Sequence, residues 1–227
     1  MTNEAGLHTT VTLGAGRLTI EDVWALAHRR AAVRLNDDVD FQARIARGAA
    51  FLDRLLAEEG HIYGVTTGYG DSVTRRVPAA LVAELPLHLT RFHGCGLGAD
   101  LSLEACRAVL VARLCSLAQG VSGVSLGLLQ RLCWLLQQDL IPRIPEEGSV
   151  GASGDLTPLS YVAAVLVGER DLFRDGRLQP AADVYRALGI APLVLRPKEG
   201  LALMNGTAVM TALSCLAYQR CAYLMQL

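Results

Sequence analysis

A mainly α-helical fold is what this sequence predicts, on three observations. Apolar residues recur at helical spacing: Leu103, Cys106, Leu110, Leu114 and Leu117 form one stripe, and Leu128, Leu132, Leu135 and Leu136 form another. Strand signals are few and short, such as Thr10–Thr12 and Leu193–Leu195. Of the 227 residues 52 % are hydrophobic, with a mean hydropathy of +0.32. So much apolar surface points to helices buried in a large bundle or an oligomer.

The elements follow in order. Thr19-Ile20-Glu21-Asp22 opens the first helix with a capping-box pattern, a hydroxyl N-cap followed three residues later by an acid. The stripes at 103–117 and 128–136 define two more helices. Another starts near Pro158, whose missing N–H is harmless in a first turn, and runs to about Gly168. From Thr211 to Leu227 the helical pattern meets no glycine, asparagine or proline that would stop it. Glycine-rich loops separate these helices, and the chemistry is expected there.

Composition excludes several functions. Twenty-one basic and 22 acidic residues give a net charge of -1 with the signs interspersed, so there is no footprint for nucleic acid and no polybasic membrane patch. Arg113, Arg131 and Glu169 interrupt the most apolar stretches, so no segment reads as a membrane span. Met1–Ala5 lacks the basic start and apolar run of a secretory signal, which favours the cytoplasm. The six cysteines contain no Cys-x-x-Cys pair. Cys106, Cys115, Cys133, Cys215 and Cys221 fall in apolar helical patterns and read as buried, reduced thiols. The five histidines have no ligand spacing, so no metal is expected. No Gly-Lys-Ser/Thr or dinucleotide-type glycine spacing occurs, so no nucleotide is expected either.

The most informative segment is Gly148-Ser149-Val150-Gly151-Ala152-Ser153-Gly154-Asp155-Leu156-Thr157. Small residues on both sides of Ser153 let the Gly154 amide nitrogen reach back to the Ala152 carbonyl carbon, and glycine tolerates the dihedrals this needs. Ring closure with loss of water from Ser153 would leave a methylidene-imidazolone, an electrophile that ordinary side chains do not supply. Three further blocks stand out: Tyr63-Gly64-Val65-Thr66-Thr67-Gly68-Tyr69-Gly70, Leu89-Thr90-Arg91-Phe92-His93-Gly94-Cys95-Gly96-Leu97-Gly98, and Glu199-Gly200-Leu201-Ala202-Leu203-Met204-Asn205-Gly206-Thr207.

In content and order these four blocks resemble the histidine/phenylalanine ammonia-lyase family, from about residue 10 to the last residue. The resemblance implies an ammonia-lyase-like helical fold with glycine-rich catalytic loops. It also implies a 4-methylidene-imidazol-5-one formed autocatalytically from Ala152, Ser153 and Gly154. Tyr63 falls where the family has its catalytic tyrosine. Phe92 and His93 fall on its selectivity pair, which reads Phe-Leu in typical phenylalanine lyases, His-Leu in tyrosine lyases and Ser-His in histidine lyases. Asn205 falls on its asparagine, which can orient the ring carbonyl or a substrate carboxylate. Thr66 and Tyr69 depart from the usual asparagine and phenylalanine.

The implied reaction removes ammonia from an aromatic or heteroaromatic L-amino acid, with histidine ahead because of His93. An aminomutase would use the same electrophile. Asp155 and Thr157 are expected to cap the helix after the turn, and Arg91 lies near enough to the selectivity pair to be considered for the carboxylate. Family members are more than twice this length, so residues 1–227 read as the N-terminal portion of one, lacking the C-terminal part of the central helical bundle. They would serve as part of a homotetramer or, alone, as an inactive assembly unit.

Overall fold

The structure is a computed structural model that describes residues 9–58 and 60–227. Strand β1 (Thr10–Leu13) runs into α1 (Ile20–Ala27) and returns as β2 (Ala32–Leu35), which pairs with β1 in parallel from Thr10 opposite Ala32 to Leu13 opposite Leu35. The capping box forms: Thr19 Oγ1 accepts the Asp22 N–H at 3.1 Å, and the Asp22 carboxylate accepts the Thr19 N–H at 3.0 Å. Then follow α2 (Val39–Glu58), two short 3₁₀ turns at Gly70–Thr74 and Ala79–Leu81, and α3 (Leu85–His93). Strand β3 (Leu97–Asp100) leads to the central helix α4 (Leu103–Leu117) and to α5 (Leu126–Gln137).

Strands β4 (Ile141–Pro142) and β5 (Pro145–Glu147) precede the turn that carries Ser153. Beyond it come α6 (Thr157–Leu166), β6 (Asp171–Arg174), β7 (Arg177–Pro180), α7 (Ala181–Leu188), α8 (Glu199–Met204) and α9 (Ala208–Leu224). β5 pairs antiparallel with β3, and β6 sits between β4 and β7 in a three-stranded antiparallel sheet. The core centres on α4, whose Val109, Leu110, Leu114 and Leu117 are fully buried beneath α1, α5 and α9. All of α6 is buried as well, which fixes the end of the Ser153 turn to the rigid interior.

Four sequence expectations need correction. Leu193–Leu195 is not a strand: Pro192 and Pro197 flank it, and the Leu193 N–H is taken by the Leu166 carbonyl at 2.9 Å, outside any ladder. Cys221 is exposed, while Cys106 and Cys133 are buried and Cys115 and Cys215 half-buried; all are free thiols. Burial pushes Cys106 up to about 12 and Cys133 up to about 11, so both stay neutral.

The third correction concerns the apolar stretches. Residues 200–219 carry no charge, and the 26-residue span Glu199–Leu224 contains an 18-residue stretch with a mean hydropathy of 1.5, long and apolar enough to cross a membrane. In the structure it is interrupted at Asn205–Thr207 and packs against α4 and α1, as a core helix does. The fourth concerns Asp155 and Thr157, which do not cap α6: no side chain caps its N-terminus, and Asp155 serves another helix, described next.

Candidate active site

The six-residue helix α8 is where the four sequence blocks meet. Its start is fixed by Glu199, a buried carboxylate that accepts the Ser125 and Arg196 N–H groups, each at 2.8 Å. Gly200 lies against the backbone of Pro86 in α3: a Cβ there would stand 2.8 Å from Pro86 Cα. Buried Thr90 of α3 donates to the Pro86 carbonyl at 2.9 Å and to Met204 Sδ at 3.8 Å. Leu201 presses on the Tyr63 loop, its Cδ2 standing 2.8 Å from where a Cβ on Gly64 would be. Asn205, which ends α8, meets the Ala152-Ser153-Gly154 turn.

That junction is tightly specified. Asn205 Nδ2 donates to Ser153 Oγ at 3.2 Å, across 52 residues of sequence. Gly154 has φ +109°, a region closed to side chains, and a Cβ on it would lie 2.8 Å from Gly206 N and 3.0 Å from Asn205 Oδ1. Leu156, two residues on, is also strained, at φ 31° and ψ -77°. Ala152 and Ser153 themselves are exposed. A turn of small residues, held open and offering the Ser153 hydroxyl to an amide, fits closure into the five-membered ring.

Asp155 pins the turn. Its N–H donates to the Gly206 carbonyl at 2.7 Å, and its buried carboxylate accepts the Val209 N–H at 2.7 Å and the Met210 N–H at 3.4 Å. It therefore caps α9 and staples the turn to it. The sequence reading assigned Asp155 to the adjacent helix because caps are ordinarily local. The one acid inside each of the blocks 148–157 (Asp155) and 199–207 (Glu199) is the sequence signal for these anchoring roles.

The other candidates are held more loosely. Tyr63 is 49 % exposed, and its hydroxyl oxygen accepts the Gly70 N–H at 3.1 Å within its own loop. Tyr69 packs edge-on against it with ring centroids 6.4 Å apart; burial, then the neighbouring Tyr63, push Tyr69 up to about 12. Tyr69 thus stays protonated. The Thr66 hydroxyl, where the family pattern has asparagine, accepts the Ile62 N–H at 2.7 Å and closes the loop.

Phe92 is 80 % exposed and meets the ring of His93 edge-on at 5.2 Å, while His93 Nδ1 lies 3.1 Å from the Leu89 carbonyl. Arg91 is not free for a carboxylate. Its guanidinium forks onto Glu169, with Nε 3.0 and 3.2 Å from the two oxygens. A cavity of about 470 Å³ lies on the α1–α4–α9 side of the break, lined by Thr19, Arg113, Asn205, Thr207, Thr211 and Cys215; Tyr63, Phe92, His93 and Ser153 are not in its wall.

The fold is mainly helical, with a glycine-rich Ala-Ser-Gly turn set against an asparagine. The family model for aromatic amino acid lyases matches residues 18–227, and the chain belongs to the aromatic amino acid lyase family. It is similar to histidine ammonia-lyase of Staphylococcus aureus, 39% identical over 209 residues covering 92% of this chain and 41% of that protein. The Bos taurus histidine ammonia-lyase is 38% identical over 211 residues, covering 92% of this chain and 32% of that protein.

Among solved structures, the tyrosine aminomutase from Streptomyces globisporus superposes with a TM-score of 0.86 at 39% identity, covering 93% of this chain and 39% of that one. Histidine ammonia-lyase from Trypanosoma cruzi gives 0.82 at 33% identity, covering 93% and 40%. The fold is that of the ammonia-lyases and aminomutases, and the chain spans about a third to two-fifths of the relatives it matches.

Proposed function

We propose that this chain carries the electrophile-forming part of an enzyme that eliminates ammonia from an aromatic or heteroaromatic L-amino acid, with histidine favoured. The observation that carries the reading is the junction where Asn205 meets Ser153 across 52 residues while Gly154 leaves no room for a side chain. In ring closure the Gly154 nitrogen bonds to the Ala152 carbonyl carbon, and its proton passes to the carbonyl oxygen. That hydroxyl leaves as water with the Ser153 amide proton; the Ser153 hydroxyl leaves with its Cα proton as a second water. The resulting methylidene-imidazolone supplies the electrophile.

The chain's own residues do the rest. Tyr63 Oη takes the proton from the substrate β-carbon. The Asn205 amide orients a carboxylate or carbonyl through its paired donor and acceptor. His93 beside Phe92 offers an aromatic wall with one polar edge, which suits an imidazole side chain. In Ser153→Ala no methylidene can form, and ammonia release from histidine, phenylalanine and tyrosine should fall by several orders of magnitude. Retention of a tenth of the wild-type rate would refute the reading.

A second reading has one specific support, the 39% identity and 0.86 TM-score to a tyrosine aminomutase. A β-amino acid among the products would select it. We place the protein in the cytoplasm as a homotetramer. The outer face of α9 supports association: Met210 is 59 %, Tyr218 55 % and Leu224 65 % exposed. Residues 1–227 alone should associate and show little turnover, as an assembly unit would; a monodisperse monomer by light scattering, with full turnover, would refute this.

A further inference from the structure

Arg113 is the only charged residue in the last ten positions of α4, and it is 96 % buried (4 % exposed). Burial pulls its guanidinium down to about 10, against the opposing pull of the Asp155 carboxylate, and its Nε finds no partner among the described residues. Such a group is expensive to bury, and an apolar residue of similar volume often packs there at no loss of stability. Its hydrogen bonds show what it does. Nη2 donates to the Ala202 carbonyl and, at 3.2 Å, to the Asn205 carbonyl.

These are among the carbonyls left without helical partners where α8 stops. Across the break, Asp155 takes the orphaned N–H groups of Val209 and Met210. A cation thus closes the C-terminal end of one helix and an anion the N-terminal end of the next, each matching the local dipole. On its other side the break borders a half-open pocket of about 470 Å³, so no side chain packs against it there. The guanidinium also fills the space a side chain on Gly206 would need.

We propose that Arg113 is a positioning residue: by gripping the Ala202 and Asn205 carbonyls it keeps the α8–α9 break open and so holds the Asn205 amide on Ser153. This rests on the functional reading above and assigns Arg113 a part in the same site. Without the grip the break relaxes toward continuous helix or into the cavity, and Asn205 leaves Ser153.

The test uses the protein as its full reading frame encodes it, with Arg113→Met, Arg113→Lys and Asn205→Ala, and with each Arg113 change combined with Asn205→Ala. Ring content is read by intact mass (two waters lost per chain) and near-ultraviolet absorbance, the fold by circular dichroism, and kcat and KM by ammonia release. Arg113→Met should fold, lose at least about tenfold in kcat with KM changed less than about threefold, and absorb differently in the near ultraviolet. Arg113→Lys should recover part of the loss, since an ammonium keeps the charge and can donate to these carbonyls but does not fill the guanidinium's space beside Gly206. In the Asn205→Ala background Arg113→Met should cost less than about twofold more, the non-additivity of residues acting as one unit.

A folded Arg113→Met with wild-type kcat and spectrum, or an equal loss in both backgrounds, overturns the proposal. If Arg113→Met fails to fold, Arg113→Lys decides by the same comparison in the two backgrounds. If Ser153→Ala and Asn205→Ala both keep full activity, the functional reading itself has failed; if they lose it while the Arg113 variants do not, only this inference has.

Discussion

The turn at residues 152–154 and the loop at residues 63–70 both present an exposed side chain proposed for chemistry, but they are built by different means. Ser153 is set by long-range polar contacts: its own bond to Asn205, the bonds from Asp155 to Gly206, Val209 and Met210, and the Arg113 grip beneath. Tyr63 is set by bonds within its own loop, with its hydroxyl on Gly70 and the Thr66 and Thr67 hydroxyls on the N–H groups of Ile62 and Gly64. The first arrangement is rigid because moving the turn would strand buried polar groups. The second is anchored by its buried stretch Gly64–Thr67 and by bonds to residues 75–77, while the Tyr63 ring itself stays half-exposed. The turn proposed for the electrophile is thus preorganised, whereas the tyrosine proposed for proton transfer stands half-exposed at the edge of an otherwise buried loop.

Substitutions can break or sharpen this contrast. The largest effect is expected from Gly154→Ala: at φ +109° its methyl would collide with Gly206 and Asn205, so the turn cannot hold its shape. Ring formation by intact mass should disappear, and ammonia release should drop at least about a thousandfold. Tyr63→Phe should come next, with ring content and fold intact, kcat down about a hundredfold or more and KM changed only a few-fold. If Tyr63→Phe also lost the ring, the two regions would not be independent.

Asp155→Ala removes a buried helix cap and should cost about 1–2 kcal/mol, seen as a melting temperature lower by about 2–8 °C. Asp155→Asn, which keeps one acceptor, should lose less. The smallest effect is expected from Arg91→Ala. Because Glu169 already occupies that guanidinium, KM for the amino acid should change less than about threefold. A tenfold rise would mean that Arg91 leaves Glu169 to bind the carboxylate.

Most helices were legible in the sequence because their cause is local. The Thr19–Asp22 capping box and the 103–117 stripe are complete within a few turns of chain, and both form as expected. Of the short strands only β1 was, through the signal at Thr10–Thr12, since two to four residues hardly display alternation; β4 is the two residues Ile141–Pro142. The site divides in the same way. The glycine-rich blocks could be read directly, but their meeting point could not, because α8 touches α3, the Tyr63 loop and the Ser153 turn through contacts with no sequence signature. Asp155 was legible as a cap and misassigned as to helix, its partners lying 54 and 55 residues away. Arg113 was visible as a charge in an apolar run, yet nothing in that run revealed that the carbonyls of Ala202 and Asn205 would be its partners.

The staple from Asp155 to the start of α9 also imposes a timetable on the nascent chain. Val209 and Met210 are made 54 and 55 residues after Asp155. At ribosomal speeds this is a delay on the order of 3–10 s. During that interval Ala152, Ser153 and Gly154 already exist, but the partners that hold their turn do not. If ring closure needs this clamp, it waits until α9 has begun to emerge. The reactive group would be created only on chains that have already packed this junction, so a prematurely terminated polypeptide ending before residue 209 should carry an ordinary serine.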